Sequence, residues 1–201
     1  ACERFQVKAY CETTSKTLFS KYKKTLLASF AKAAQPAELP DICKGLPSNL
    51  WMDWQEFEFN RRPAGQVGLV KDAAASNKYA ARMPGSHKIW AVQFPLMRFF
   101  VPNAAATATN SLQACRIVAY VRAEASAKTG SGMTLGVYDF AEKKMVVSRA
   151  IPIWEIAGPV YRTIDLGRVE IKPGRSFWAA PPERPGEVKA VWVDRVVLIK
   201  D

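Results

Sequence analysis

One histidine in 201 residues limits the chemistry this chain can do. His87 stands in "MPGSHKIW", so any site needing two imidazoles is excluded, and a Ser/His/Asp triad would have to use it. Ser86 precedes it directly instead of sitting on a strand-to-helix elbow, which argues against a nucleophile there. Paired carboxylates could do glycosidic acid–base work, but with 18 acids in the chain their presence alone has no specificity. "KTGSGMT" (Lys128 to Thr134) lacks the spacing of a phosphate-cradling loop and is expected as a hairpin turn. Cys2, Cys11, Cys43 and Cys115 form no C-x-x-C pair, so no zinc site is expected. Two outcomes stay open for them: a disulfide staple from the N-terminal segment to Cys115, or free buried thiols. No catalytic residue is predicted, and the chain is not expected to be an enzyme.

The remaining groups that could bind something are aromatic, acidic and basic. The formal net charge is +11, which favours polyanionic partners or simply a soluble basic surface. The basic residues are scattered singly, apart from Lys21, Lys23 and Lys24. No zinc-finger spacing or RNA-binding aromatic motif accompanies them, so nucleic acid is not the expected partner. Glu3, Arg4 and Lys8 interrupt any apolar signal core in residues 1–15. No apolar run approaches the roughly 18 residues needed to span a bilayer.

Two patterns of periodicity must position these groups. From Thr13 to Ala34, Leu18, Tyr22, Leu26 and Phe30 share one face, which predicts an amphipathic helix ended by Pro36. "QPAELPDICKGLPSN" then reads as a proline-bearing linker. From Trp51 onward the period is two. "WQEFEFN", "KIWAVQFPL", "CRIVAYVRAEA", "MTLGVYDF", "KMVVSRAI", "YRTIDLG", "SFWAAPP" and "AVWVDRVVLIK" are short runs rich in Val, Ile, Phe, Tyr and Trp. Eight or so strands without intervening helices predict a mainly β chain: an antiparallel β-sandwich, or jelly roll, with an N-terminal α-helical segment. The expected division is residues 1–50 for the helical segment and linker, and 51–201 for the sandwich.

"WQEFEFN", "DAAASNKYAARM" and "AVWVDRVVLIK" stand in an order that resembles galactose-binding-like jelly rolls, the carbohydrate-binding modules appended to bacterial glycoside hydrolases and polysaccharide lyases. The resemblance covers Trp51 to Asp201. It implies that Glu56 and Glu58, side by side on one strand face, join Asp72 and Asp194 in holding a structural calcium ion, a hard cation that takes several oxygens. Salt bridges from Asp194 to Arg195 or Lys189 and from Glu58 to Arg61 are the alternative, and Asp72 could simply brace its own turn. Asn77 stands where the family has glycine, which suits a left-handed turn.

The same resemblance implies a function: binding polysaccharide, acidic in keeping with the charge, in support of an associated glycoside hydrolase domain. It also implies a secreted, periplasmic or cell-surface location. The sugar contacts are expected from Asn77, Arg82 and His87 on the loop stretch, and from Trp154 and Tyr161 flanking a Gly-Pro turn. Trp90, Trp178 and Trp192 alternate with apolar neighbours and are expected in the core. A polysaccharide lyase acting on an acidic glycan, or a purely structural domain, are the alternative functions.

Overall fold

The computed structural model describes residues 38–61, 66–86, 90–96, 113–184 and 186–200. The expected helix at 13–34, the cluster Lys21, Lys23 and Lys24, Cys2, Cys11 and His87 lie outside the described residues.

Among the described residues, the compact unit Leu39–Asp201 has eleven strands. They are β1 (Trp51–Gln55), β2 (Asn60–Arg61), β3 (Gly68–Lys71), β4 (Tyr79–Pro84), β5 (Val92–Pro95), β6 (Gln113–Ala125), β7 (Ser131–Asp139), β8 (Lys144–Pro152), β9 (Arg162–Ile171), β10 (Arg175–Ala180) and β11 (Val188–Lys200). One short helix, α1 (Ile153–Ile156), follows β8. One sheet runs β3-β4-β11-β6-β9, with β1 also paired to β11; the other runs β2-β5-β10-β7-β8. All strand pairs are antiparallel, so the expected β-sandwich is what forms.

Alternation explains the core. In β6, Ile117, Ala119, Val121 and Ala123 point inward and are fully buried, while Arg116, Tyr120, Arg122 and Glu124 point out. They meet Leu135 and Val137 of β7 and Phe177 and Ala179 of β10 from the other sheet. The aromatic centre is Phe94, whose ring lies 4.6 Å from Trp54, 5.4 Å from Phe59 and 5.1 Å from Phe177.

Three expectations about local structure need correction. β1 ends at Gln55, and Glu56–Glu58 form a 3-10 turn, so the two glutamates do not share a strand face. Pairing of β1 with β11 ends at Gln55 opposite Arg195, and the Glu58 carboxylate then accepts the Gln55 N–H and closes the turn. Lys128–Thr134 is not a hairpin, because β6 and β7 belong to different sheets and the segment crosses between them. The proline-bearing stretch also folds: Pro40 and Pro47 each precede a 3-10 turn, at Asp41–Cys43 and Ser48–Leu50, and Cys43 is buried. There proline fixes the entry φ of a turn. Of the cysteines, Cys43 and Cys115 are both buried, and Cys43 is a free thiol.

A charged end closes the second sheet beyond β7. Asp139 accepts hydrogen bonds from the backbone N–H groups of Glu142 and Ala141, each at 3.0 Å, and from Arg175 Nε at 3.1 Å. Lys172 lies 3.5 Å away. The Glu142 N–H first, and Arg175 and Lys172 with it, hold the Asp139 carboxyl down at about 2, against an ordinary 3.8. The folded state therefore keeps this group ionised at a pH where the unfolded chain protonates it. Its stabilising contribution is complete above about pH 4 and is lost as pH falls toward 2. Asp139→Asn should remove that part of the acid sensitivity. Thermal melts between pH 2 and 6 measure it, with a shallower fall in Tm expected for the variant.

Candidate functional site

Opposite residues in paired strands point to the same face, and this register builds an open aromatic surface on the outer face of the β2-β5-β10-β7-β8 sheet. Asn60, Gln93, Trp178, Gly136 and Ser148 form one row across it. Pro95, Ser176, Tyr138 and Met145 form the next. The Trp178 indole lies flat on the sheet because Gly136 beneath it has no side chain. A Cβ there would stand 2.8 Å from the Trp178 ring and 2.6 Å from the Val147 carbonyl. Trp90, just ahead of β5, stacks on Trp178 with ring centroids 5.1 Å apart and planes 19° apart. Tyr138 packs against Trp90 at 4.9 Å, and Phe140 packs against both. Trp90 and Tyr138 are half-buried, Phe140 is 49% exposed and Met145 42% exposed. Large apolar groups left open beside the Gln93, Asn60, Ser148 and Ser176 side chains suit a ligand with apolar faces and hydroxyl edges.

Trp90 and Trp178, expected in the core, thus belong to this outer surface. Trp178 is buried, but by Trp90 and not by the opposite sheet. Gly136→Ala is expected to cost about 1–3 kcal/mol as overpacking and to lift the Trp178 indole. Urea unfolding reads the first effect and near-UV circular dichroism the second.

Of the residues singled out from the loop stretch, Asn77 and Arg82 go elsewhere, into two clusters on the outer face of the other sheet. In the first, Arg82 of β4, Trp192 of β11 and Arg122 of β6 stand in one cross-strand row. The Arg122 guanidinium lies 3.9 Å from the Trp192 ring centroid, and that of Arg82 5.6 Å away. Asp72 Oδ2 accepts from Arg122 Nε at 2.9 Å, Arg122 Nη2 at 2.7 Å and the Tyr161 hydroxyl at 2.7 Å. Asp72 Oδ1 takes the Ala74 N–H at 3.1 Å, which braces its own turn, the alternative to a metal-ligand role. Burial alone would raise the Asp72 carboxyl, but the Tyr161 and Arg122 hydrogen bonds outweigh it and hold it below its ordinary range. Burial and the same carboxylate push the Tyr161 phenol far up. Tyr161 is therefore a packing group against Trp192, not a rim residue. Trp154, on α1, is 73% exposed and stands apart from both clusters.

The second cluster sits where β1 ends and β4 begins along the same edge of β11. Asn77 Nδ2 donates to Glu56 Oε1 at 2.9 Å, Oε2 at 3.0 Å and Gln55 Oε1 at 3.1 Å, while its Oδ1 takes the Tyr79 N–H at 2.9 Å. Asn77 is thus a structural clasp, and the positive φ of the turn falls on Lys78 instead, at 71°. Asp194 takes the Ser76 hydroxyl at 2.9 Å and the Ser76 N–H at 3.2 Å. Burial pushes the Glu56 carboxyl up to about 7 and the Asp53 carboxyl to about 6, and raises Asp194 as well. Glu58 is exposed at the turn and accepts the Gln55 N–H at 3.1 Å.

The four acids expected around calcium are therefore not one ligand set. Asp72 faces Arg122, Glu56 faces Asn77, Asp194 faces Ser76, and Glu58 caps a turn. Among the described residues, no group of three or more His, Cys, Asp or Glu is placed to hold a metal ion. Protein N–H and O–H donors already occupy the oxygens such an ion would need, and the calcium set does not fit.

No family model matches this sequence, and no curated protein does. Solved structures show what the fold is. It is an antiparallel β-sandwich that is also found in carbohydrate-binding modules. The chain shares it with the CBM22-1 xylan-binding domain of Paenibacillus barcinonensis Xyn10C, at 13% identity and a TM-score of 0.50, over 74% of this chain and 92% of that one. The tandem CBM22-1–CBM22-2 structure from the same enzyme superposes with a TM-score of 0.51 at 12% identity, over 74% of this chain and 45% of the longer one. Among the described residues, no helix is long and apolar enough to cross a membrane.

Proposed function

We propose that this chain is a non-catalytic polysaccharide-binding module, and that sugar binds on the Trp90–Tyr138–Phe140 surface. The observation that carries the reading is that aromatic stack, left open on a sheet face and flanked by amide and hydroxyl side chains. Aromatic rings pack against the apolar faces of pyranoses, and the amides and hydroxyls bond their edges. The sandwich shared with a xylan-binding domain agrees with this role. A rigid sheet suits it too, because a preformed surface loses little conformational freedom on binding.

In this reading the module serves an associated glycoside hydrolase outside the cytoplasm. The rows around the stack carry Asn60, Gln93, Ser148 and Ser176. A neutral glycan therefore fits this face better than the acidic one suggested by the overall charge. The test is retention on immobilised xylan, β-glucan, galactan and a uronic-acid polysaccharide at two salt concentrations. Salt-resistant retention on a neutral glycan supports the reading. Retention confined to the acidic glycan and abolished by salt would instead point to the basic surface. Release of unsaturated product from the acidic glycan would support the lyase alternative.

A further inference from the structure

We infer that the Arg195 guanidinium is the resident cation of the β1–β4–β11 junction, and that this chain needs no metal ion there. The geometry is that of a filled site. Arg195 follows the register slip of β11 at Asp194, opposite Gln55 of β1 and Tyr120 of β6. A slip of this kind re-aims a side chain. It brings the Arg195 side chain, only 5% exposed, between two carboxylates. Its Nη1 lies 3.2 Å from Asp53 Oδ2, and its Nε lies 3.6 Å from Asp194 Oδ2. The guanidinium also stands 5.3 Å from the Tyr120 ring centroid, which favours a cation there.

Neutral donors reach the neighbouring acceptors, while Asp53 Oδ1 is buried without a hydrogen bond. Ser76 supplies a hydroxyl and an N–H to Asp194. Asn77 supplies its amide to both oxygens of Glu56, and Gln55 donates to Asp53. A divalent ion at this junction would have to displace those donors and sit beside a buried positive charge. Repulsion between buried like charges is poorly screened. The protein cation thus does what a metal would do there. It neutralises buried acids and ties the end of β1 to the bulged strand.

The experiment is a set of thermal melts in EDTA and in millimolar calcium, with terbium luminescence as a direct probe of metal binding. For the wild type, Tm is expected to be the same in both buffers, with no saturable sensitised emission from one bound terbium. Arg195→Met removes the charge and keeps the bulk, so its Tm in EDTA is expected to fall well below wild type. If that variant does not fold, Arg195→Lys keeps the charge without the two-pronged contact and should show a smaller fall. A calcium-dependent rise in wild-type Tm, or saturable binding of one terbium, would overturn the inference. So would an Arg195→Met protein as stable as the wild type.

Discussion

Trp90→Ala is expected to weaken polysaccharide binding by roughly 30-fold or more while leaving the fold intact. Central aromatic anchors carry about 2 kcal/mol or more of binding free energy, and each 1.4 kcal/mol is tenfold in affinity. Trp90 is such an anchor, because its ring is the outermost member of the stack over Trp178 and Gly136. Its loss removes the platform and leaves the Trp178 indole uncovered. Stability should change little, since Trp90 is half-buried and lies outside the inter-sheet core. Trp154→Ala is the control. Trp154 is the more exposed ring, yet it stands alone on α1, and its removal should leave affinity unchanged. Calorimetric titration of the retained polysaccharide into the wild type and both variants measures the contrast. Equal losses for the two variants would show that exposure matters here and not the stack.

Phe94→Ala should give the largest loss of stability. Its ring is 1% exposed and touches Trp54, Phe59 and Phe177, so truncation opens a hole among three aromatic rings. Removing a buried phenylalanine costs about 3–5 kcal/mol. For a domain of this size, each kcal/mol lowers Tm by about 2–4 °C, so a fall of about 10 °C is expected. Phe140→Ala removes the same number of atoms from a ring that is 49% exposed and should cost far less. Differential scanning calorimetry of the two variants separates a core ring from a surface ring.

The sandwich was legible because period-two alternation is strong in β6 and β9 and β11 is a long apolar run, and each of these forms a strand. The aromatic surface was harder to see. Alternation sorts residues into two faces but does not say which apolar face is covered. Trp178 alternates with Phe177 and Ala179, and only pairing shows that Phe177 and Ala179 face the other sheet. A usable signal was present in "TLGVYDF". Leu135 and Val137 form the inward row, so Gly136 and Tyr138 must face outward. A glycine in an outward row marks room for a ring lying flat.

The acids failed as a set for a different reason. Of the four acids expected together, Glu56 and Asp194 do meet at one junction, where Asn77, expected as a sugar contact, and Ser76 hydrogen-bond them. What the sequence could not show was the slip at Asp194 that sets Arg195 beside Asp53. Asp72 went to a separate cluster because Arg122 and Tyr161 offered it three donors.

The most direct test of the account is to follow the indole N–H resonances by nuclear magnetic resonance while a soluble oligosaccharide of the retained glycan is added. The account predicts that the signals of Trp90 and Trp178 move with saturation, while those of Trp154 and Trp192 stay in place. Movement of Trp154 or Trp192, with Trp90 and Trp178 unchanged, would contradict it and place the ligand on another face of the sandwich.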